Sequence, residues 1–433
     1  MIGARHDLVT RPVLGWWTRK MAVQPVVRKA ELLRGGCTEE EANFLNGRSL
    51  MALASGISHG YGCVLFPEGT SHNNSYMIRF RTGPMRTVLA ASALAKSTGK
   101  ELPVLIPMGL HFRTREYFRT DVWVEYGEPI QIEDGDVPQN LVDAVSTGSW
   151  SEPPAESVFK LRDKLRDDLV PLSPNTHSWD EYRGLLLLGH VKGRMEHNPP
   201  KSWRAEVEQA RSLRNKYNSG PKSMNVDDLQ PSKITETLVA KSEQAARILH
   251  ENGMDGRDLN FDSTSLAKPE VSKLPLATIR IGLFIALLPV FLISLLPQII
   301  LGRILGDSTD EGIDARTSYQ FLAAMFGSIL IWPISSTIIV ALLYWQAGTI
   351  EHTIHINWIE AFGMSQFSMG LSIFMLWLAM FPVSLFTGQL FSLVWDDYVD
   401  LRGYLRKLKM SPQTKNELFQ IITEMKQEIF NAK

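Results

Sequence analysis

Hydrophobic and polar positions divide the 433-residue chain in two. Residues 1–273 mix apolar and charged positions, whereas residues 274–395 are mostly apolar. In the first part, Ala22–Val27, Val64–Phe66 and Val104–Met108 are short apolar runs that read as buried strands, and Val122–Tyr126 alternates into Gly127-Glu128-Pro129. Between them, residues 38–60 and 85–96 have helical spacing; Thr38 suits the first as a cap, with Glu39, Glu40 and Glu41 complementing its dipole. Short apolar strands separated by helices predict an α/β layer with a largely parallel sheet. Ligands of such sheets bind beyond the carboxyl ends of the strands, where Arg28, Glu68 and Pro107 could meet.

Residues 134–273 are polar and punctuated by prolines, among them Pro153-Pro154 and Pro199-Pro200. Helices are predicted near 156–170, 178–196, 201–218 and 231–251, as a helical insertion whose apolar run Leu185–Leu188 packs on the α/β layer. His190 and His197 lack a metal-ligand spacing and read as surface residues. Nearer the start, Trp16 and Trp17 fit either the aromatic edge of an interfacial helix or a core.

Ile281–Gly302, Thr317–Ile350 and Ala361–Trp395 contain no charged residue, and a bilayer crossing needs roughly twenty apolar residues. These stretches predict two or three C-terminal transmembrane α-helices, with kinks at Pro333 and Pro382. Lys268, Lys273 and Arg280 precede them and Arg402, Arg406, Lys407 and Lys409 follow, so both flanks are expected in the cytosol. An even number of crossings then has the first stretch, with Pro289 and Pro297, dip in and return or lie at the interface, leaving two true spans within 317–395. The implied organisation is 1–133 as the α/β domain, 134–273 as the helical insertion, 274–400 as the membrane domain and 401–433 as a basic cytosolic helical tail.

Composition narrows the classes. A formal net charge of −1 argues against nucleic acid as a partner. With Cys37 and Cys63 alone, neither a disulfide framework nor a cysteine zinc site is credible, and no other metal-ligand cluster is visible. Arg5, Asp7, Arg11, Arg19 and Lys20 interrupt any secretory apolar core.

The chemistry concentrates in Val64-Leu65-Phe66-Pro67-Glu68-Gly69-Thr70-Ser71-His72. Pro67 ends a strand, Gly69 allows a turn, and Thr70 and Ser71 suit a helix start. A strand–turn–helix of this kind aims backbone N–H groups at an anion, while Glu68 can accept hydrogen bonds from hydroxyls. A ligand carrying both phosphate and hydroxyls reconciles the two. His59, His72 and His111 have no carboxylate partner at a fixed spacing and read as structural or surface residues.

Phe66–His72 resembles the third sequence block of the glycerol-3-phosphate/lysophosphatidate acyltransferase superfamily, and Phe80-Arg81-Thr82-Gly83 resembles the basic segment just after it. Leu105-Ile106-Pro107-Met108 looks like the fourth block, and Met21–Arg28 like the second. The subgroup most similar is the membrane-bound eukaryotic glycerol-3-phosphate/dihydroxyacetone-phosphate acyltransferases, over roughly the first 130 residues. The resemblance implies that Arg28, helped by Arg81, grips the phosphate and that Glu68 and Gly69 hold the hydroxyl side. Phe66, Pro67, Thr70 and Ser71 complete that block, and Pro107 shapes the pocket wall.

One block departs from the pattern. The family's His-x4-Asp pair, which takes the alcohol's proton, should precede Arg28 by roughly fifty residues and is not in the chain; the N-terminus is expected to be incomplete. His6-Asp7 has the wrong spacing, and His250 to Asp255 lies far downstream in a polar segment, a coincidence of spacing. The implied activity is acyl transfer from acyl-CoA, a co-substrate with no further cofactor, to glycerol 3-phosphate or dihydroxyacetone phosphate. The expected place is the endoplasmic reticulum bilayer, with the α/β domain facing the cytosol. The alternatives are a lysophosphatidate or other lysophospholipid acyltransferase, and a catalytically inactive membrane protein.

Overall fold

The computed structural model describes residues 2–5, 15–16, 19–20, 23–26, 38–70, 72–115, 117–217, 236–308, 313–354 and 366–431. Arg28, Ser71 and the His6-Asp7 pair lie outside the described residues. What is described is mostly helical. In chain order it runs β1 (Ile2–Arg5), β2 (Val23–Val26), α1 (Glu39–Ser58), α2 (Gly83–Ser97), β3 (Met108–Phe112) and β4 (Val122–Tyr126). It continues with α3 (Gln139–Ser146), α4 (Ala155–Leu169), α5 (Trp179–Met195), α6 (Trp203–Tyr217) and α7 (Glu236–Glu251). Then come α8 (Leu274–Ala286), α9 (Leu288–Asp307), α10 (Ile313–Ile354), α11 (Gln366–Lys409) and α12 (Pro412–Asn431).

The chain forms two compact units: Met1–Phe112, Val122–Leu249 and Glu417–Lys433 make one, Arg113–Asp121 and His250–Asn416 the other. In the first, helix α1 starts as its sequence dictates. Glu41 N–H donates to Thr38 Oγ1 (3.2 Å), and Thr38 N–H donates to Glu41 Oε2 (2.9 Å), a closed capping box. The core is built by α2, α3 and α4, whose apolar positions recur every three or four residues: Met85, Val88 and Leu89 meet Leu141, Val145, Leu161 and Leu165. The run Leu185–Leu188 packs among helices, with α5 lying on α6 and its Gly184 against the Glu243 backbone of α7.

Among the described residues, sheet content is smaller than the apolar runs predict. β1 and β2 pair in parallel, whereas β3 and β4 form an antiparallel hairpin with Met108 opposite Tyr126 and Phe112 opposite Val122. The run Val104–Met108 contributes only the bridge Leu105–Ile130 before β3 begins. Pro103 and Pro107 each lack an N–H, so this stretch cannot sustain a ladder. The hairpin's faces also depart from the usual polarity. Gly109 and His111 point inward, while Leu110, Phe112, Val122, Val124 and Tyr126 stay exposed.

In the second unit, three helical stretches are long and apolar enough to cross a membrane: Leu288–Asp307, Tyr319–Gln346 and Gly370–Lys409. The first of these starts after a turn at Leu287, carries Pro289 in its first turn and passes Pro297 by way of a single π-turn over Phe291–Leu295. Pro297 has no N–H for the Ile293 carbonyl one turn earlier, and Ser335 Oγ of α10 donates to that carbonyl instead (2.8 Å). Pro333 and Pro382 lie inside α10 and α11.

Candidate substrate site

The stretch from Phe66 to Arg81 is a closed loop rather than a strand–turn–helix. Gly69 N–H donates to Phe66 O (3.1 Å), closing a tight turn over Pro67 and Glu68, and Arg81 N–H donates back to Pro67 O (2.7 Å). Thr70 does not start a helix. Helix α2 begins at Gly83 after Thr82, with Pro84 in its first turn, where a missing N–H costs nothing. An earlier start is blocked because the N–H groups of Ile78 and Arg81 are drawn back to Glu68 and Pro67. Ser71 lies outside the described residues, and what the described part of the loop presents is a side-chain site.

Glu68 is the centre of that site. Its Oε1 accepts from Ile78 N–H (2.8 Å) and pairs with His72 Nε2 (2.8 Å), while Oε2 has no protein partner among the described residues. The far side of His72 is also engaged: Asn74 N–H donates to Nδ1 at 3.2 Å. Because a backbone N–H can only donate, Nδ1 carries the lone pair and Nε2 carries the proton given to Glu68. His72 thus has the carboxylate partner that the sequence reading denied it. The signal was there, as a carboxylate four residues before a histidine.

Gly69 has φ +67°, and a Cβ on it would stand 2.9 Å from Arg81 Cγ. The Arg81 side chain therefore leaves its backbone across the face of the turn, and only glycine lets it lie so close. Its guanidinium is exposed and has no protein partner among the described residues, and the same holds for Arg79. Phe80 between them is 2 % exposed and anchors both to the core. Arg79 went unremarked in the sequence, although a basic–aromatic–basic alternation marks it.

Neighbouring segments hold the loop in place. Ser75 Oγ donates to Thr176 O (2.7 Å), Thr176 N–H returns a bond to Ser75 O (3.3 Å), and the Trp179 indole donates to Asn73 O (2.7 Å). Phe66 and Thr70 are exposed on the turn. Pro107 is placed by the hairpin: its carbonyl accepts from Gly127 N–H (2.9 Å). The structure thus brings Pro67, Glu68, Gly69 and Arg81 together.

Two further histidines are buried against carboxylates. His111 Nε2 lies 2.9 Å from Glu125 Oε2, and Arg211 pairs with the same carboxylate. Burial, together with the charge of Arg211, pushes the His111 pKa down against the opposing pull of Glu125. Burial would raise Glu125, but the hydrogen bond and charge of Arg211, with His111, hold it below the usual carboxylate range. His190, read from the sequence as a surface residue, is 3 % exposed, with Nε2 3.2 Å from Glu206 Oε2 across the α5–α6 contact. The apolar run beside it draws that face of α5 inward. Among the described residues, no cluster of three or more His, Cys, Asp or Glu could hold a metal. Asp255 gives its carboxylate to Arg257, through both its backbone N–H and its guanidinium.

No family model matches the chain, and no solved structure matches it. Among curated proteins, it is 29% identical over 151 residues to glycerol-3-phosphate O-acyltransferase 2 of Saccharomyces cerevisiae. That match takes in 35% of the chain and spans 19% of the yeast protein's length. The likeness supports kinship with the glycerolipid acyltransferases, and the three long apolar helices point to a membrane protein.

Proposed function

We propose that the chain is a glycerol-3-phosphate O-acyltransferase of the endoplasmic reticulum, taking its acyl group from acyl-CoA. The acceptor is glycerol 3-phosphate or dihydroxyacetone phosphate. The observation that carries this reading is the presence at one turn of a carboxylate oxygen without a protein partner among the described residues, Glu68 Oε2, and of the exposed guanidinium of Arg81. A phosphate alone would be repelled by the carboxylate, and a neutral polyol would leave the arginine unused. A polyol phosphate satisfies both. The likeness to a yeast protein named for this reaction agrees with it.

In this reading Arg81, with Arg28 by resemblance, takes the phosphate, and Glu68 accepts a bond from a hydroxyl. Transfer from a thioester also needs a base for the alcohol's proton and donors for the oxyanion. His72 does not supply the base, because the nitrogen that would receive the proton already accepts from Asn74. The resemblance assigns that role to the histidine of a His-x4-Asp block ahead of Arg28.

Membranes holding residues 1–433 joined behind such a block should transfer labelled acyl groups from acyl-CoA to glycerol 3-phosphate. The rate should exceed that of the unextended chain by about 10²–10⁴-fold, the usual contribution of a general base. Transfer only to lysophosphatidate would replace the acceptor, and transfer to neither would overturn the proposal.

A further inference from the structure

We infer that His72 is a positioning residue for the acceptor: it locks one oxygen of Glu68 so that the other is presented to a substrate hydroxyl. The inference rests on the polyol-phosphate reading and adds a residue to it. Glu68 Oε1 receives two donors, Ile78 N–H and His72 Nε2–H, both at 2.8 Å. These two bonds fix the carboxylate plane and leave Oε2 as the acceptor without a protein partner among the described residues. A glutamate held only by Ile78 N–H could rotate and turn either oxygen away, so affinity for a hydroxyl would fall.

The contact on the other side of the ring explains why His72 can do this reliably. Asn74 N–H at Nδ1 (3.2 Å) selects the tautomer that carries its proton on Nε2, the one that can donate to Glu68. The ring is therefore oriented from both ends, by the backbone and by the carboxylate. That backbone is itself tied down, because Ser75 and Thr176 exchange two hydrogen bonds next to it. His72 and Glu68 are each about a fifth exposed, so the pair sits at the edge of solvent, where a ligand can reach the free oxygen.

Paired acceptors test this in the full chain reconstituted in bilayers. Glycerol 3-phosphate has hydroxyls for Glu68, whereas propyl phosphate keeps the phosphate and loses them. The wild-type chain should bind glycerol 3-phosphate about ten-fold more tightly than propyl phosphate, as expected for a hydrogen bond to a charged group. His72→Ala should erase most of that preference without changing the affinity for propyl phosphate, which also reports that the loop remains folded. His72→Gln, which restores an N–H donor, should recover part of it. A His72→Ala chain that retains the full preference overturns the positioning role alone. A wild-type chain with no preference overturns the polyol-phosphate reading together with it.

Discussion

Ser335 donates its hydroxyl to the backbone carbonyl of Ile293, 2.8 Å away on another apolar helix. That carbonyl is the one Pro297 cannot serve, so the bond offsets a vacancy that lipid could not fill. Ser335→Ala should destabilise the apolar unit by about 0.6–1.7 kcal/mol, the range measured for such interhelical bonds. Thermal unfolding in detergent would check this, and Ser336→Ala serves as a neighbouring control.

Acid should weaken the first unit in two steps. The folded-state pKa of His111 lies below its ordinary 6.5, so as pH falls through that value the unfolded chain binds the proton first and stability declines. Glu125 is also lowered from 4.5, so its contribution is present above that pH and is lost below it. His111→Gln should remove the upper step and leave the lower one. Unfolding by urea between pH 7.5 and 3 measures both steps.

At Gly69 the backbone is left-handed and Arg81 crosses directly above. Gly69→Ala should cost about 1–2 kcal/mol for the backbone alone, and it must also push Arg81 aside. Affinity for a phosphate-bearing acceptor should therefore drop while affinity for acyl-CoA holds. Equal losses for both ligands would point to a collapsed loop.

Thr38→Ala removes the side-chain half of the capping box on α1. The expected cost is about 1 kcal/mol, read as a lower melting temperature of the first unit.

Local rules made the helices legible. Thr38 with its three glutamates announced α1, and the positions of α2, α4, α5, α6 and α7 followed from apolar spacing closely enough to name most of their residues. Among the described residues, an apolar run is not by itself enough to make a strand. Val104–Met108 is apolar, but Pro103 before it and Pro107 within it lack N–H groups, and only the bridge at Leu105 forms ahead of β3. The donor that serves the Ile293 carbonyl beside Pro297 stands 42 residues away, where no local pattern contains it. At the candidate site, the turn and its glycine were readable, since both are local. The closure by Arg81 and Ile78 was not, because it hangs on bonds across the loop. The two buried His–Glu pairs were missed for the same reason: His111 meets Glu125 only once the hairpin forms, and His190 meets Glu206 only once α5 and α6 pack.

The central claim is that the Glu68–Arg81 turn receives a polyol phosphate. Its most direct test is equilibrium binding of labelled glycerol 3-phosphate to the full chain in bilayers, for wild type, Arg81→Ala and Glu68→Gln. Wild type should bind saturably, and each substitution should weaken binding by roughly ten- to a hundred-fold, the loss of one charge-assisted contact. Saturable binding that survives both substitutions unchanged would contradict the account.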